Sequence, residues 1–167
     1  MSINITFDDA YNFKKSNSTS AKEFKDYANM IAVEEYTSAK TNNKSIRITF
    51  DHEGLKVFAY MGLSDKSVKY AIGAMLHAYA RSTSEDKAKE IFDKINADDE
   101  VETELDFAIE LKNRLNKKLT SNPVRVWVER KKEGEFYQVQ WFFDKPADKD
   151  DNAAAAIAEE NKVNVSI

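Results

Sequence analysis

Ile46-Arg47-Ile48-Thr49-Phe50-Asp51-His52-Glu53-Gly54-Leu55-Lys56-Val57-Phe58-Ala59-Tyr60-Met61 decides the fold class. Ile46, Ile48 and Phe50 alternate with Arg47 and Thr49, the period of a half-buried strand. Asp51 to Gly54 is turn chemistry. After it Leu55, Val57, Ala59 and Met61 alternate with Lys56, Phe58 and Tyr60, so the stretch reads as a β-hairpin. Upstream, Thr41-Asn42-Asn43-Lys44 is a second turn, preceded by a strand signal over 29–38 with Ile31, Val33 and Tyr36 among polar residues. Three strands joined by short turns predict an antiparallel meander.

Beyond Gly62 the period changes to that of helices. Ser64 is the expected N-cap of a helix carrying Val68, Ile72, Met75, Leu76 and Tyr79; a second helix starts near Ser84, with Ala88, Ile91, Phe92 and Ile95. A third, over 100–119, has its acids early (Glu100, Glu102, Glu104) and its bases late (Arg114, Lys117, Lys118), as the helix dipole favours. Thr120 to Pro123 ends the helical stretch. Val124, Val126 and Val128 then alternate with Arg125, Trp127 and Glu129, and a turn at Gly134 leads into a last strand over 136–143. Strand–strand–strand–helices–strand–strand is the order of a five-stranded antiparallel oligonucleotide/oligosaccharide-binding (OB) barrel, an order that other small β-rich folds share. The expected fold is therefore an α+β, OB-like barrel with a helical insertion (64–119) between strands 3 and 4. Residues 27–143 form that domain. Residues 1–26 are an N-terminal segment in which Ile3, Ile5 and Phe7 suggest an edge strand and 21–26 a short turn. Residues 144–167 are a polar, acidic, alanine-rich tail.

The chain has 167 residues, 42% apolar and 32% charged, which is ordinary for a globular domain. Cysteine does not occur, which excludes disulfides, thiolate metal sites and a cysteine nucleophile. The opening residues lack an apolar run of signal-peptide length, and nothing approaches the roughly 20 apolar residues of a membrane helix, so the cytoplasm is the expected address. Net charge is −4, of which the tail from Asp144 carries −3, so a nearly neutral body neither favours nor excludes a polyanion.

Catalytic signatures are lacking. His52 and His77 are too few and too separated for a metal cluster, and both read as surface residues. No phosphate-binding glycine loop occurs. Asp51, Glu53, Glu129 and Asp144 lie near strand ends, where acids for a metal-dependent nuclease would have to converge. The expectation is a binding protein without cofactor or metal. With the aliphatic parity inward, Arg47, Lys56, Phe58, Tyr60, Arg125 and Trp127 share the other face. Rings that stack on bases, interleaved with cations for phosphates, are how OB domains hold single strands. The plainer account is that aromatic residues fill strands because they pack well there. Tyr137, Trp141 and Phe143 of the last strand can face either way.

Asn122-Pro123-Val124-Arg125-Val126 followed by Gly134-Glu135-Phe136-Tyr137-Gln138-Val139 resembles the closing pattern G-K-P-V-R-V … N-G-K-x-Y-N-x-V of a phage family of uncharacterised proteins. The members look like OB-fold, single-strand-binding or recombination-accessory proteins. Ile5-Thr6-Phe7-Asp8-Asp9-Ala10 and Asn43-Lys44-Ser45-Ile46-Arg47-Ile48-Thr49-Phe50 are also similar to that family, so the likeness runs in order over 5–143. Two departures are the replacement of a glycine-containing opener by Lys22–Tyr27 and the long helical insertion. The resemblance implies single-stranded-DNA binding in phage replication or recombination, in the host cytoplasm, without naming the residues that touch DNA. Acidic tails of such proteins often recruit partners, so the tail ending in Val163-Asn164-Val165-Ser166-Ile167 is a candidate contact for a replication or recombination protein; the plainer account is a flexible tail. The competing expectation is a phage-encoded inhibitor of a host factor, acting as a DNA mimic through its carboxylates. Oligomeric state is open.

Overall fold

The computed structural model describes residues 23–147. The expected edge strand at Ile3–Phe7 and the tail from residue 148 lie outside the described residues. Five strands and three helices follow in the anticipated order. They are β1 (Phe24–Thr37), β2 (Lys44–His52), β3 (Leu55–Gly62), α1 (Val68–Ser82), α2 (Glu85–Asn96), α3 (Glu104–Ser121), β4 (Val124–Glu133) and β5 (Phe136–Phe142). The strands form one antiparallel sheet in the order β3-β2-β1-β4-β5.

β1 organises the sheet. Its first half, Phe24–Met30, pairs with β4, and its second half pairs with β2 from Asn29 to Thr37. Only Asn29 and Met30 pair on both sides. A bulge between Met30 and Ala32 bends the strand where it passes from one partner to the other. This corrects the expected turn at 21–26: β1 already runs from Phe24, so the expected boundary between residues 26 and 27 falls inside a strand. Polar Lys25 and Asp26 hid its first half, because a strand that faces water on one side carries few apolar residues.

The β2–β3 hairpin closes through Glu53 (φ 51) and Gly54 (φ 92), the two positive-φ residues that match the twist of the flanking strands. The first helix begins later than expected. Ser67 is its N-cap, while the carbonyl of Ser64 accepts from the N–H groups of Ser67 and Val68 in a preceding turn. α2 starts where expected, and the Ser84 side chain caps it by accepting from the Lys87 N–H. α3 starts at Glu104 rather than residue 100, because Thr103 and Asp106 form a reciprocal capping box there.

Ile46, Ile48 and Phe50 of β2, Val126 and Val128 of β4, Met75 of α1 and Leu111, Leu115 and Leu119 of α3 are buried in one core. The Phe50 ring meets that of Trp141 on β5, centroids 5.8 Å apart, although β1 and β4 lie between their strands. Such a contact requires a strongly curled sheet. The edge strands β3 and β5 approach within 8 Å between Cα atoms without forming a ladder, so the sheet is open and the expected closed barrel is not formed. Among the described residues no helix is long and apolar enough to cross a membrane.

Candidate nucleic-acid interface

The strand registers place the six expected residues on one face. Tyr60 is opposite Arg47, and Arg47 opposite Glu34; Phe58 is opposite Thr49. Lys56, Asp51, Asn29 and Arg125 form a single row across β3, β2, β1 and β4. Trp127 follows, opposite Tyr27 on β1 and Phe142 on β5.

Two groups stand out on this face. The first lies on β1–β3. Phe58 and Tyr60 are 39% and 53% exposed, and Tyr36 of β1 joins them at 38%, its ring centroid 5.1 Å from that of Tyr60. Arg47 lies among these rings, its guanidinium carbon 4.8 Å from the Phe58 centroid and 5.8 Å from that of Tyr36. Its Nη2 donates to Glu34 at 3.0 Å, while its Nε is buried without a partner. Lys56 pairs with Asp51 at 3.2 Å. Exposed pairs of this kind contribute about 0–1 kcal/mol, so both cations can exchange a carboxylate for a phosphate at little cost.

The second group is closed. Arg125 stacks over Tyr27 at 3.9 Å, and the rings of Tyr27 and Trp127 meet in a T-shaped contact with centroids 5.0 Å apart. Trp127 is only 8% exposed: its Nε1 donates to Glu129 at 2.9 Å, and Lys145 Nζ lies 4.9 Å above the ring. The expectation of an open Trp127 platform is thereby corrected. Parity put the residue on the right face, but neighbouring side chains cover it.

Tyr36, Tyr27 and Lys145 were missed by sequence reasoning. The bulge shifts the parity of β1, so odd positions (Tyr27, Asn29) face outward before it and even positions (Glu34, Tyr36) after it. A residue count cannot locate such a shift. On β5, Tyr137, Val139 and Trp141 are half-buried, while Phe136, Gln138, Gln140 and Phe142 are exposed. Tyr137, Trp141 and Phe143 therefore do not extend the face. Cations Lys25, Arg47, Lys56, Arg125, Lys131 and Lys145 outnumber Glu34, Asp51, Glu129 and Glu133 on this side of a chain whose net charge is −4.

The four acids considered for metal chemistry do not converge. Asp51 is held by Lys56, Glu129 by Trp127 and Asp144 by Arg81. Glu53 instead lies with Asp26 and His52, their ligand atoms within 4.8 Å of one another, a set chemically able to hold a divalent cation. His52, read from sequence as a surface residue, is the last residue of β2 with a side chain 12% exposed. Its ring stacks on Phe24 at 4.0 Å and its Nε2 lies 3.0 Å from Asp26 Oδ2. This hydrogen bond, with a second from the Tyr27 N–H, holds the Asp26 carboxyl below its ordinary value of 3.8. His77 meets the ring of Phe143 at 4.4 Å. No family model, curated protein or solved structure matches the chain.

Proposed function

We propose that this protein binds single-stranded DNA, without catalysis, on the outer face of β1–β4. The observation that carries the proposal is the group of three exposed rings, Tyr36, Phe58 and Tyr60, packed around Arg47 on one side of the sheet. Unpaired bases present free π-faces to such rings, and a stacked base contributes about 1–3 kcal/mol whatever its identity. Arg47, Lys56 and Arg125 supply the charge that a phosphate backbone needs; the first two are held by Glu34 and Asp51 in surface pairs weak enough to be exchanged, and Arg125 lies over the Tyr27 ring. The strand order and the approach of β3 to β5 support reading the curled sheet as an OB-like barrel with one seam unpaired. The phage-family resemblance adds replication or recombination as the setting, and a replication protein as partner of the tail.

Fluorescence or anisotropy titration with labelled oligo(dT) at low salt tests the proposal. Binding is expected, weakened about 5- to 100-fold by Y60A or F58A through loss of one stacked base. Failure to bind oligo(dT) in low salt removes the proposal. The DNA-mimic expectation is favoured instead if the protein captures a nuclease-resistant host partner.

A further inference from the structure

Trp127 shares the outward face with Phe58 and Tyr60, yet it is 8% exposed where they are 39% and 53%. What lies over its ring is an ammonium group, Lys145 Nζ at 4.9 Å. Lys145 sits just beyond β5, in a short segment whose preceding residues are fastened to α1. Arg81 Nη2 donates to Asp144 at 2.8 Å, and the Arg81 guanidinium lies 5.1 Å from the Phe143 ring, which His77 also meets. Phe143 and Asp144 are thus anchors, and Lys145, the next residue, reaches across the tryptophan.

A lysine is a weak and exchangeable cover. An exposed ammonium–ring contact contributes less than a base stacked on the same ring. The ammonium displaced from the ring retains its charge and has a phosphate to meet. Both halves of the exchange therefore favour an incoming single strand. Trp127 is also held by its neighbours on the face: its Nε1 donates to Glu129 and its ring meets that of Tyr27 in a T-shaped contact, so the ring does not need to reorient.

We propose that Trp127 is a concealed stacking position for an unpaired base, and that Lys145 is its cover, moving from the ring to a phosphate when a single strand binds. The proposal rests on the reading of this face as a single-strand site. It adds a second stacking station beyond the Tyr36–Phe58–Tyr60 group, reached through the row that ends in Arg125. It also confines full engagement to unpaired nucleic acid, since a duplex offers no free base face within reach.

The test uses the full chain carrying W141F, which leaves Trp127 as the one tryptophan of the two in the sequence. Should W141F fail to fold, 5-fluorotryptophan labelling of the natural sequence, with the resonances assigned through W127F, reads the exposure of Trp127 from the solvent-isotope shift of its own resonance. Without DNA, K145A is expected to raise acrylamide quenching of Trp127 about two- to fivefold, D144A to raise it less, and K145R to leave it near the starting value. With oligo(dT), Trp127 emission should fall on binding, W127A should weaken binding about 5- to 100-fold, and K145A should make the salt dependence shallower by about 0.7 in the log–log slope. Unchanged quenching in K145A overturns the cover. Unchanged affinity in W127A overturns the stacking position. Failure of every variant to bind oligo(dT) removes the underlying function and the stacking role together, and the DNA-free quenching still judges the cover separately.

Discussion

Tyr60 and Phe58 stand two residues apart on β3, and what separates them from ordinary strand aromatics is water on their outer faces. Their alternation with Val57, Ala59 and Met61 was legible in the sequence, because a period of two fixes the face of every residue once the core side is known. Trp127 shows the limit of that rule. Parity gives direction, but cover by Lys145 comes from the segment that follows the neighbouring strand β5. His52 was misread for a related reason: the residue that it meets, Asp26, lay in a stretch that did not read as strand. The Asp26–His52 contact has a pH signature. A carboxyl whose folded-state pKa is depressed adds stability that is present above its unfolded value of 3.8 and is lost as pH falls through the folded value. In H52A the Asp26 midpoint, followed by carboxyl carbon NMR, is expected to rise toward 3.8. The stability gap between the natural protein and H52A should narrow below about pH 4, leaving the part due to lost stacking on Phe24. An unchanged midpoint would mean that the Tyr27 N–H alone holds Asp26.

β1 is the element on which the site depends, and its geometry was the least legible. Past Met30 it has lost β4 as a neighbour, so its backbone groups on that side need other partners. α3 supplies one: the Val33 N–H donates to Asn116 Oδ1 at 3.1 Å. This contact fastens the bent strand to the helical layer and so fixes where Glu34 and Tyr36 emerge on the outer face. N116A leaves that part-buried donor without its acceptor and is expected to cost about 1–3 kcal/mol, measured as a shift in urea midpoint with unchanged m-value. It should also weaken oligo(dT) binding, because Tyr36 is no longer held beside Tyr60. Glu53 gives a contrasting expectation in the β2–β3 hairpin. A β-carbon is disfavoured at φ 51, so E53G should stabilise the turn by about 1 kcal/mol in the same assay and leave DNA binding intact. The helices were more readable. Ser84 marked the start of α2, whereas the start of α3 was set by the Thr103–Asp106 box rather than by the acidic run before it.

At the level of the whole molecule, strand order was legible because short turns and one change of period leave few topologies. Closure was not, because it depends on whether β3 and β5 come within hydrogen-bonding distance, and no residue pattern encodes a gap between two edges. Charge behaves similarly. A net −4 argues against a polyanion only if charge is spread evenly, and here the cations gather on the side where the rings are exposed. The consequence is measurable through counterion release. If Arg47, Lys56 and Arg125 each meet one phosphate of a single strand, they contribute about −2 to the log–log slope of affinity against salt, the displaced Lys145 adds about −0.7, and raising salt from about 50 to 200 mM weakens binding roughly 50-fold. Replacing any one of the three by alanine should flatten the slope by about 0.7, while replacing a lysine of the helical layer, such as Lys94, should not change it. A slope near zero would mean that the rings act without the cations. In that case the excess of positive charge on this face would have nothing to do with its ligand, and the exposed aromatic group would read better as a contact for another protein.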